Sequence, residues 1–182
     1  MTRKGLVVAG AAAGALVVLG CAWAAAAAAR TAWRTGFVRD AEDTGRFVAR
    51  ALATRSDLLV VERFAELKRH DDVTYVLVLD PSGRARFHGE AAEVGKVFDS
   101  PFAKAALAAT ATIVQDIPSA GVVEVDVPVG GGSVLRVGGA PRPLAASLRW
   151  LWTGAAAGVL ALAALAALAV VAKPLTGGSA GL

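Results

Sequence analysis

Basic side chains that could bind an anion follow one another in the middle of the chain. Arg84, Arg86 and His88 alternate with apolar residues, and this spacing places all three on one face of a strand. Lys96 lies just beyond them. Guanidinium groups bind carboxylates through charge-assisted hydrogen bonds, often with two parallel bonds to one carboxylate. The pattern predicts a site for a small anionic ligand, and it equally fits arginines on a solvated strand face with a histidine that ends the strand.

Residue combinations typical of catalytic and metal sites are missing from the sequence. It contains 2 histidines and 1 cysteine, so neither a zinc cluster nor a Cys–His pair can be assembled. The glycines at 130–132 precede no Lys-Ser pair, which predicts a hairpin loop and not a phosphate cradle. Residues 30–149 hold 16 Lys or Arg against 15 Asp or Glu, without a basic stripe for nucleic acid. We therefore expect no enzymatic activity, no catalytic residues, no metal, no cofactor and no nucleic-acid partner.

Two apolar runs without charged residues, 5–29 and 151–172, bracket this polar middle segment. At a rise of about 1.5 Å per residue, helices over these runs would be roughly 37 and 33 Å long. A hydrocarbon core is about 30 Å thick, so either run is long enough to cross it. The pattern predicts two transmembrane helices, with the lipid bilayer as a partner.

The charges at the two ends of the sequence predict the orientation of these helices. Residues 1–4 and 173–182 carry three basic residues and no acid, and short basic segments stay in the cytoplasm. Two spans place both ends on one side of the membrane. We therefore expect residues 30–149 to face outward from a bacterial inner (cytoplasmic) membrane.

The first apolar run also fits a lipoprotein signal sequence. Arg3 and Lys4 precede an apolar core that ends in the run Val18-Leu19-Gly20-Cys21, where cleavage would leave Cys21 lipidated. The apolar stretch continues to residue 29, which favours an uncleaved span. As the single cysteine, Cys21 excludes an intrachain disulfide, so the middle segment must be stabilised by its own core.

Residues 30–149 are long enough for one domain, and apolar spacing predicts two helices at its start. A stripe at Val38, Ala41, Gly45, Val48 and Leu52 predicts a helix that continues from the first apolar run. This stripe serves either as a dimer seam or as packing on the domain's own sheet. A second helix is expected after Ser56, with its apolar side formed by Leu58, Leu59, Phe64 and Leu67.

Five strands and a short helix are expected after residue 72. Asp80-Pro81-Ser82-Gly83 favours a tight turn between the first two strands. In the fourth strand Glu124 and Asp126 alternate with valines, which predicts one buried face and one solvated face. The predicted strands are 73–79, 84–88, 112–117, 122–129 and 134–138, and the short helix is 102–109.

The order helix, helix, two strands, short helix and three strands resembles an extracytoplasmic PAS-like, or single Cache, sensor domain of bacterial two-span receptors. The resemblance is carried by residues 73–83, by His88 with Val94-Gly95-Lys96, and by the closing strand 134–139. It implies an α+β fold in which two transmembrane helices flank a five-stranded antiparallel sheet with a long N-terminal helix. It also implies helices on one face of the sheet, a ligand pocket on the other, and a homodimer packed along the first helix.

The resemblance also implies where a ligand would bind. Related citrate and C4-dicarboxylate sensor kinases use basic residues on the strand after the turn. The corresponding residues here, together with Tyr75 of the preceding strand, form the candidate ligand-binding set: Tyr75, Arg84, Arg86, His88 and Lys96.

The end of the sequence completes this resemblance. Lys173-Pro174-Leu175 resembles the start of a HAMP linker, which follows the second membrane helix in many sensor histidine kinases and chemoreceptors. No kinase or other output module follows, so we expect a sensory signal-input domain that acts through a separate kinase or regulator. The competing hypothesis is a membrane-tethered structural or interaction protein, or a lipoprotein, of the cell envelope without a small-molecule ligand.

Overall fold

The computed structural model describes residues 3–171. Its described residues divide into two compact units, one with residues 3–29 and 145–171 and the other with residues 30–144. The predicted HAMP-like segment at 173–175 lies outside the described residues.

The first unit is formed by two long apolar helices. Helix α1 spans Arg3–Ala53 and helix α4 spans Arg142–Val171. Both are long enough to cross a membrane and contain an apolar stretch of 18 residues, with mean hydropathies of 2.2 and 2.4 for these stretches. They approach each other at glycines: a Cβ added at Gly14 would lie 3.3 Å from a methyl carbon of Leu162. Small residues therefore allow close helix contact within this unit.

The second unit is built on five antiparallel strands in the order β2-β1-β5-β4-β3. β1 and β5 are therefore neighbours in the middle of the sheet, although they are its first and last strands along the chain. The strands are β1 Val73–Leu79, β2 Ala85–His88, β3 Ile113–Ile117, β4 Val122–Gly130 and β5 Ser133–Gly139. The predicted α+β class, with a five-stranded antiparallel sheet and a long N-terminal helix, is confirmed.

One face of the sheet forms a dry core with α1 and with helix α2, which spans Asp57–Leu67. Val48 of α1 and Val60 of α2 are completely buried there, together with Val76 of β1 and Val125 of β4. Branched side chains at every second strand position interdigitate with the helical side chains. This core positions α1 against the sheet.

The predicted stripe on α1 packs on the domain's own sheet. Ala41 and Val48 are buried, and Gly45 lies between them at the closest approach of α1 to β4. A Cβ added at Gly45 would lie 2.4 Å from a methyl carbon of Val127. Of the two interpretations of the stripe, the structure therefore supports intrachain packing.

The apolar side predicted for α2 is partly wrong. Leu58 and Leu59 are 70% and 44% exposed, while Val60, Phe64 and Leu67 are buried. Residues 60, 64 and 67 follow helical spacing and face the sheet, so the two leucines before them point away from it. Ser56 occupies the predicted N-cap position without a side-chain hydrogen bond to the helix.

The other face of the sheet is also covered, by helix α3 at Pro101–Ala108. Ala103 and Ala106 of α3 pack on Leu77 and Leu79 of β1. The resemblance implied helices on one face only, so α3 differs from that expectation. Because α3 is short, it covers part of this face and leaves the remainder to the site described next.

Candidate functional site

Three charged side chains are buried on the α3 face of the sheet. Glu124 and Asp126 of β4 are 1% and 0% exposed, and Arg136 of β5 is 4% exposed. The prediction that Glu124 and Asp126 lie on a solvated face is therefore wrong. Their face is covered by α3 and by the chain segment 93–102 that leads into it.

The two carboxylates share the single guanidinium of Arg136. Asp126 lies directly opposite Arg136 in the β4–β5 ladder, and Nε of Arg136 donates to Oδ1 of Asp126 at 3.0 Å. Nη2 of Arg136 donates to Glu124. Gln115 of β3 donates to Oδ2 of Asp126 at 2.6 Å and to the carbonyl oxygen of Phe102 at 3.2 Å. The cluster is thus hydrogen-bonded across three strands and to α3.

The side chain of Tyr75 in β1 reaches the cluster by extending over Gly138 of the neighbouring strand β5. Its hydroxyl donates to Glu124, although β5 lies between their two strands. Gly138 is the β5 residue paired with both Tyr75 and Glu124. A Cβ added at Gly138 would lie 2.3 Å from the Tyr75 ring. The absent side chain at residue 138 therefore creates the space through which Tyr75 reaches Glu124.

Burial and mutual charge shift the pKa values in this cluster. Burial, followed by the negative charge of Glu124, raises the pKa of Asp126 to about 6, against the hydrogen bonds from Gln115 and Arg136. Burial and then the hydrogen bond to Glu124 raise the pKa of Tyr75. Burial acts to lower the pKa of Arg136, but the two carboxylates outweigh it and raise that pKa. Arg136 and Tyr75 therefore keep their protons at neutral pH.

A cavity of about 450 Å³ lies above this cluster. Such a volume is typical of sites that bind small molecules. Its polar lining includes Tyr75, His88, Glu93, Ser119, Glu124 and Arg136, and its apolar lining is Leu77, Phe98, Phe102 and Ile117. The ring of His88 stacks on that of Phe98, with centroids 6.1 Å apart. The cavity thus combines aromatic walls with a charged floor.

The structure brings two of the five predicted ligand-binding residues, Tyr75 and His88, to this cavity. The other three have separate partners. Arg84 donates to a backbone carbonyl oxygen at 2.7 Å, and Arg86 pairs with Asp57 of α2 at 3.1 Å. Lys96 pairs with Glu93 at 2.7 Å. Lys96 therefore reaches the cavity only through the rim residue Glu93.

A shift in strand register explains why the basic residues do not share a face. Val78 pairs with Phe87, but Leu79 pairs with Ala85, so Arg86 is an extra residue between two ladder pairs. Such a bulge breaks the alternation of side chains. Arg86 consequently reaches the start of α2, whereas His88 lies over the cavity.

The sequence contains a pattern that could have indicated the buried charged cluster, although Arg136, Glu124 and Asp126 were not among the predicted ligand-binding residues. Arg136 is a single charge inside the apolar strand Val134–Gly138, and Glu124 and Asp126 share one face of the neighbouring valine-rich strand. Lone charges in apolar strands are paired when buried. Matching these two strands by their opposite charges would have indicated the cluster.

We predict that Gly138→Ala destabilises the domain by about 1–3 kcal/mol, because the new methyl group overlaps the half-buried Tyr75 ring. In a Tyr75→Ala background the ring is absent, and the same change should cost much less. A double-mutant cycle on the free energy of unfolding measures this coupling. Equal effects of Gly138→Ala in both backgrounds would contradict the crossing geometry.

We also predict a pH dependence carried by Asp126. Its carboxyl has a higher pKa in the folded protein than in the unfolded chain, so the folded state binds the proton more tightly. The contribution of Asp126 to stability is therefore largest below about pH 4 and falls by roughly 2–3 kcal/mol as the pH rises through about 6. Thermal unfolding of the wild type and of Asp126→Asn from pH 4 to 7 tests this, since the wild type should lose stability relative to the variant over that range. Parallel profiles would refute it.

No protein-family model matches this chain, and no curated protein is significantly similar to it. The function must therefore be inferred from the chemistry of the cavity and the charged cluster beneath it.

Proposed function

We propose that this chain is a signal-input protein of a bacterial inner membrane. Helices α1 and α4 cross the bilayer, residues 30–149 lie outside the cytoplasm, and the cavity on the α3 face binds a small molecule. The change produced by binding passes through the sheet to the ends of the domain. The chain performs no reaction in this proposal, since its role is to bind and to transmit.

The cavity is the observation that carries the proposal. A concave, mostly apolar pocket with a few convergent polar groups and shifted pKa values is the usual form of a small-molecule site. A buried ion pair also stabilises a fold little better than apolar side chains of the same volume. Stability alone therefore gives little reason for Glu124, Asp126 and Arg136 to occupy the sheet beneath the cavity, whereas ligand recognition gives one.

Contacts within the domain supply a route from the cavity to the end of the sheet where the chain enters β1 and leaves β5. The indole nitrogen of Trp33 in α1 donates to Asp72 at 3.0 Å, and the amide of Ala140 donates to the carbonyl oxygen of Asp72 at 2.8 Å. Phe37 of α1 lies against Gly139 at the end of β5. Cavity residues Tyr75 and Arg136 belong to the same two strands, β1 and β5, so a ligand that shifts them acts on this junction.

A ligand can drive such a change only through a difference in its affinity for two states of the domain. The cavity residues Tyr75 and Arg136 are well placed to create that difference, because each is hydrogen-bonded to Glu124. A bound molecule that competes for Glu124 would loosen these bonds, whereas one that bridges them would tighten them. Either change alters the packing between β1, β5 and β4.

A second candidate is an interaction protein of the cell envelope, with another copy or another protein as its partner. The observation that favours it is the exposed apolar side of α2, where Leu58, Leu59 and Val61 are 70%, 44% and 53% exposed. Clustered exposed apolar residues mark contact surfaces. Crosslinking in membranes without added metabolites would capture a specific partner if this function is the correct one.

We predict that full-length protein in lipid nanodiscs is stabilised by some member of a panel of small amines, amino acids, carboxylates and neutral metabolites. At a hundred times its Kd, a ligand adds about 2.7 kcal/mol to the free energy of unfolding, or roughly 10 °C in Tm. Ser119→Trp, at the cavity lining, should abolish the shift. Ala120→Trp, at the next and non-lining position, should preserve it. A panel without any saturable shift would overturn ligand sensing.

The proposed topology predicts which cysteines react on intact cells. In a Cys21→Ala background, Ala120→Cys should be labelled by a membrane-impermeant maleimide before lysis, because the domain faces outward. Ser179→Cys should be labelled only after lysis, because that end is cytoplasmic. For Gram-negative cells the outer membrane is first permeabilised. The reverse labelling pattern would place the domain inside and refute this topology.

A further inference from the structure

The charged cluster at and beneath the floor of the cavity contains more negative than positive side chains. Glu124 and Asp126 are both buried, and Arg136 is the guanidinium that both contact. Glu93 adds a carboxylate at the rim, where Lys96 pairs with it on the solvent side. In the interior, charges attract and repel strongly because little water screens them. A ligand with its own negative group would increase this excess.

The basic residues that could have offset this negative charge bind partners outside the cavity. Arg84 and Arg86, expected from the sequence to receive an anion, donate to a backbone carbonyl oxygen and to Asp57. An incoming carboxylate would therefore depend on Arg136. To reach it, the ligand would displace Glu124 or Asp126 and leave that carboxylate buried without its partner, which is strongly unfavourable.

The walls of the cavity suit a positive group. Tyr75, Phe98 and Phe102 line it, and His88 stacks on Phe98. The faces of aromatic rings carry partial negative charge and attract ammonium and guanidinium groups. A cationic group that lies between aromatic rings and a carboxylate is attracted by both. The rings also contact the apolar part of the same ligand. The faces of the same rings repel an anion.

The geometry points to a small organic cation as the ligand of this cavity, a primary amine or guanidine on an apolar or aromatic frame. Its positive group lies beside Glu124, and its apolar part lies between Phe98 and Phe102. This inference rests on the proposed function, because it names the class of ligand that the same cavity binds. It replaces the small anionic ligand that the sequence predicted.

Three probes of similar shape and different charge test the inference. Phenethylamine is positive, phenethyl alcohol is neutral and phenylacetate is negative at pH 7.5. Each is titrated calorimetrically into full-length protein in phosphatidylcholine nanodiscs, with empty nanodiscs as the blank. Phenethylamine should bind at least about tenfold more tightly than the alcohol, since a hydrogen bond to a charged group is stronger than a neutral one. Phenylacetate should bind most weakly.

Charge-removing variants assign the effect to the cavity. Glu93→Gln keeps the shape of the rim and should weaken phenethylamine binding about threefold, as expected for a partly screened charge. Glu124→Gln should weaken it further, and its Tm reports whether the variant is folded. Asp57→Asn removes a more exposed carboxylate from an ion pair outside the cavity. Its affinity for phenethylamine should equal that of the wild type.

The outcomes separate this inference from the proposed function. The inference of a cationic ligand would be overturned if phenylacetate bound most tightly or if all three probes bound equally. It would also be overturned if the wider panel gave only neutral or anionic ligands. In each of these cases ligand sensing itself would remain. Equal weakening by Asp57→Asn and Glu93→Gln would also overturn it, since the effect would then be a general surface attraction. If no compound in the entire panel binds, the proposed function fails and this inference fails with it.

Discussion

The burial of Glu124 and Asp126 against the one guanidinium of Arg136 is the constraint on which the rest of the domain depends. Removing three charged groups from water is unfavourable unless each is hydrogen-bonded. Neighbouring elements provide those bonds: Gln115 ties Asp126 to the backbone of α3, and Tyr75 supplies the hydroxyl that Glu124 accepts. A face that must keep these polar contacts cannot also be filled with apolar side chains. The cavity above it follows from that restriction.

The same strands build a very different surface on the opposite face. In β4, Val125 and Val127 belong to the dry core under α1 and α2, whereas Glu124 and Asp126 lie on the α3 face, where Glu124 lines the cavity. Since the two sets alternate along one backbone, a twist or shift of β4 that adjusts the charges also moves the valines. Gly45 brings α1 against Val127 with no space between them. Tight packing transmits such shifts instead of absorbing them, which links the cavity to α1.

Local patterns predicted the elements of this domain better than its site. The valine-rich run 73–79 is β1 as expected, because β-branched residues and the Asp-Pro-Ser-Gly turn that follows determine both of its ends. Strand alternation recognised that Glu124 and Asp126 share a face, but it could not distinguish a face open to water from one covered by α3. The bulge at Arg86 likewise depends on pairing with β1 and breaks the spacing that had grouped the basic residues. The covered face of β4 and the bulge at Arg86 both result from tertiary contacts. The short-range spacing of residues in the sequence does not reveal such contacts.

In the proposed signal-input function, the strand order brings together the points where the chain enters and leaves the sheet. Because β1 and β5 are antiparallel neighbours, the chain enters β1 and leaves β5 at one end of the sheet, where Val73 pairs with Gly139. Asp72 joins the two strands there and binds Trp33 of α1 through its side chain. Under that proposal, a ligand that rearranges Tyr75 and Arg136 displaces these two strands relative to each other. At their shared end, that displacement changes the position of the α1 contact relative to Ala140, only two residues before α4 begins at Arg142. A sheet with β1 and β5 at opposite edges would separate these two points and lose the coupling.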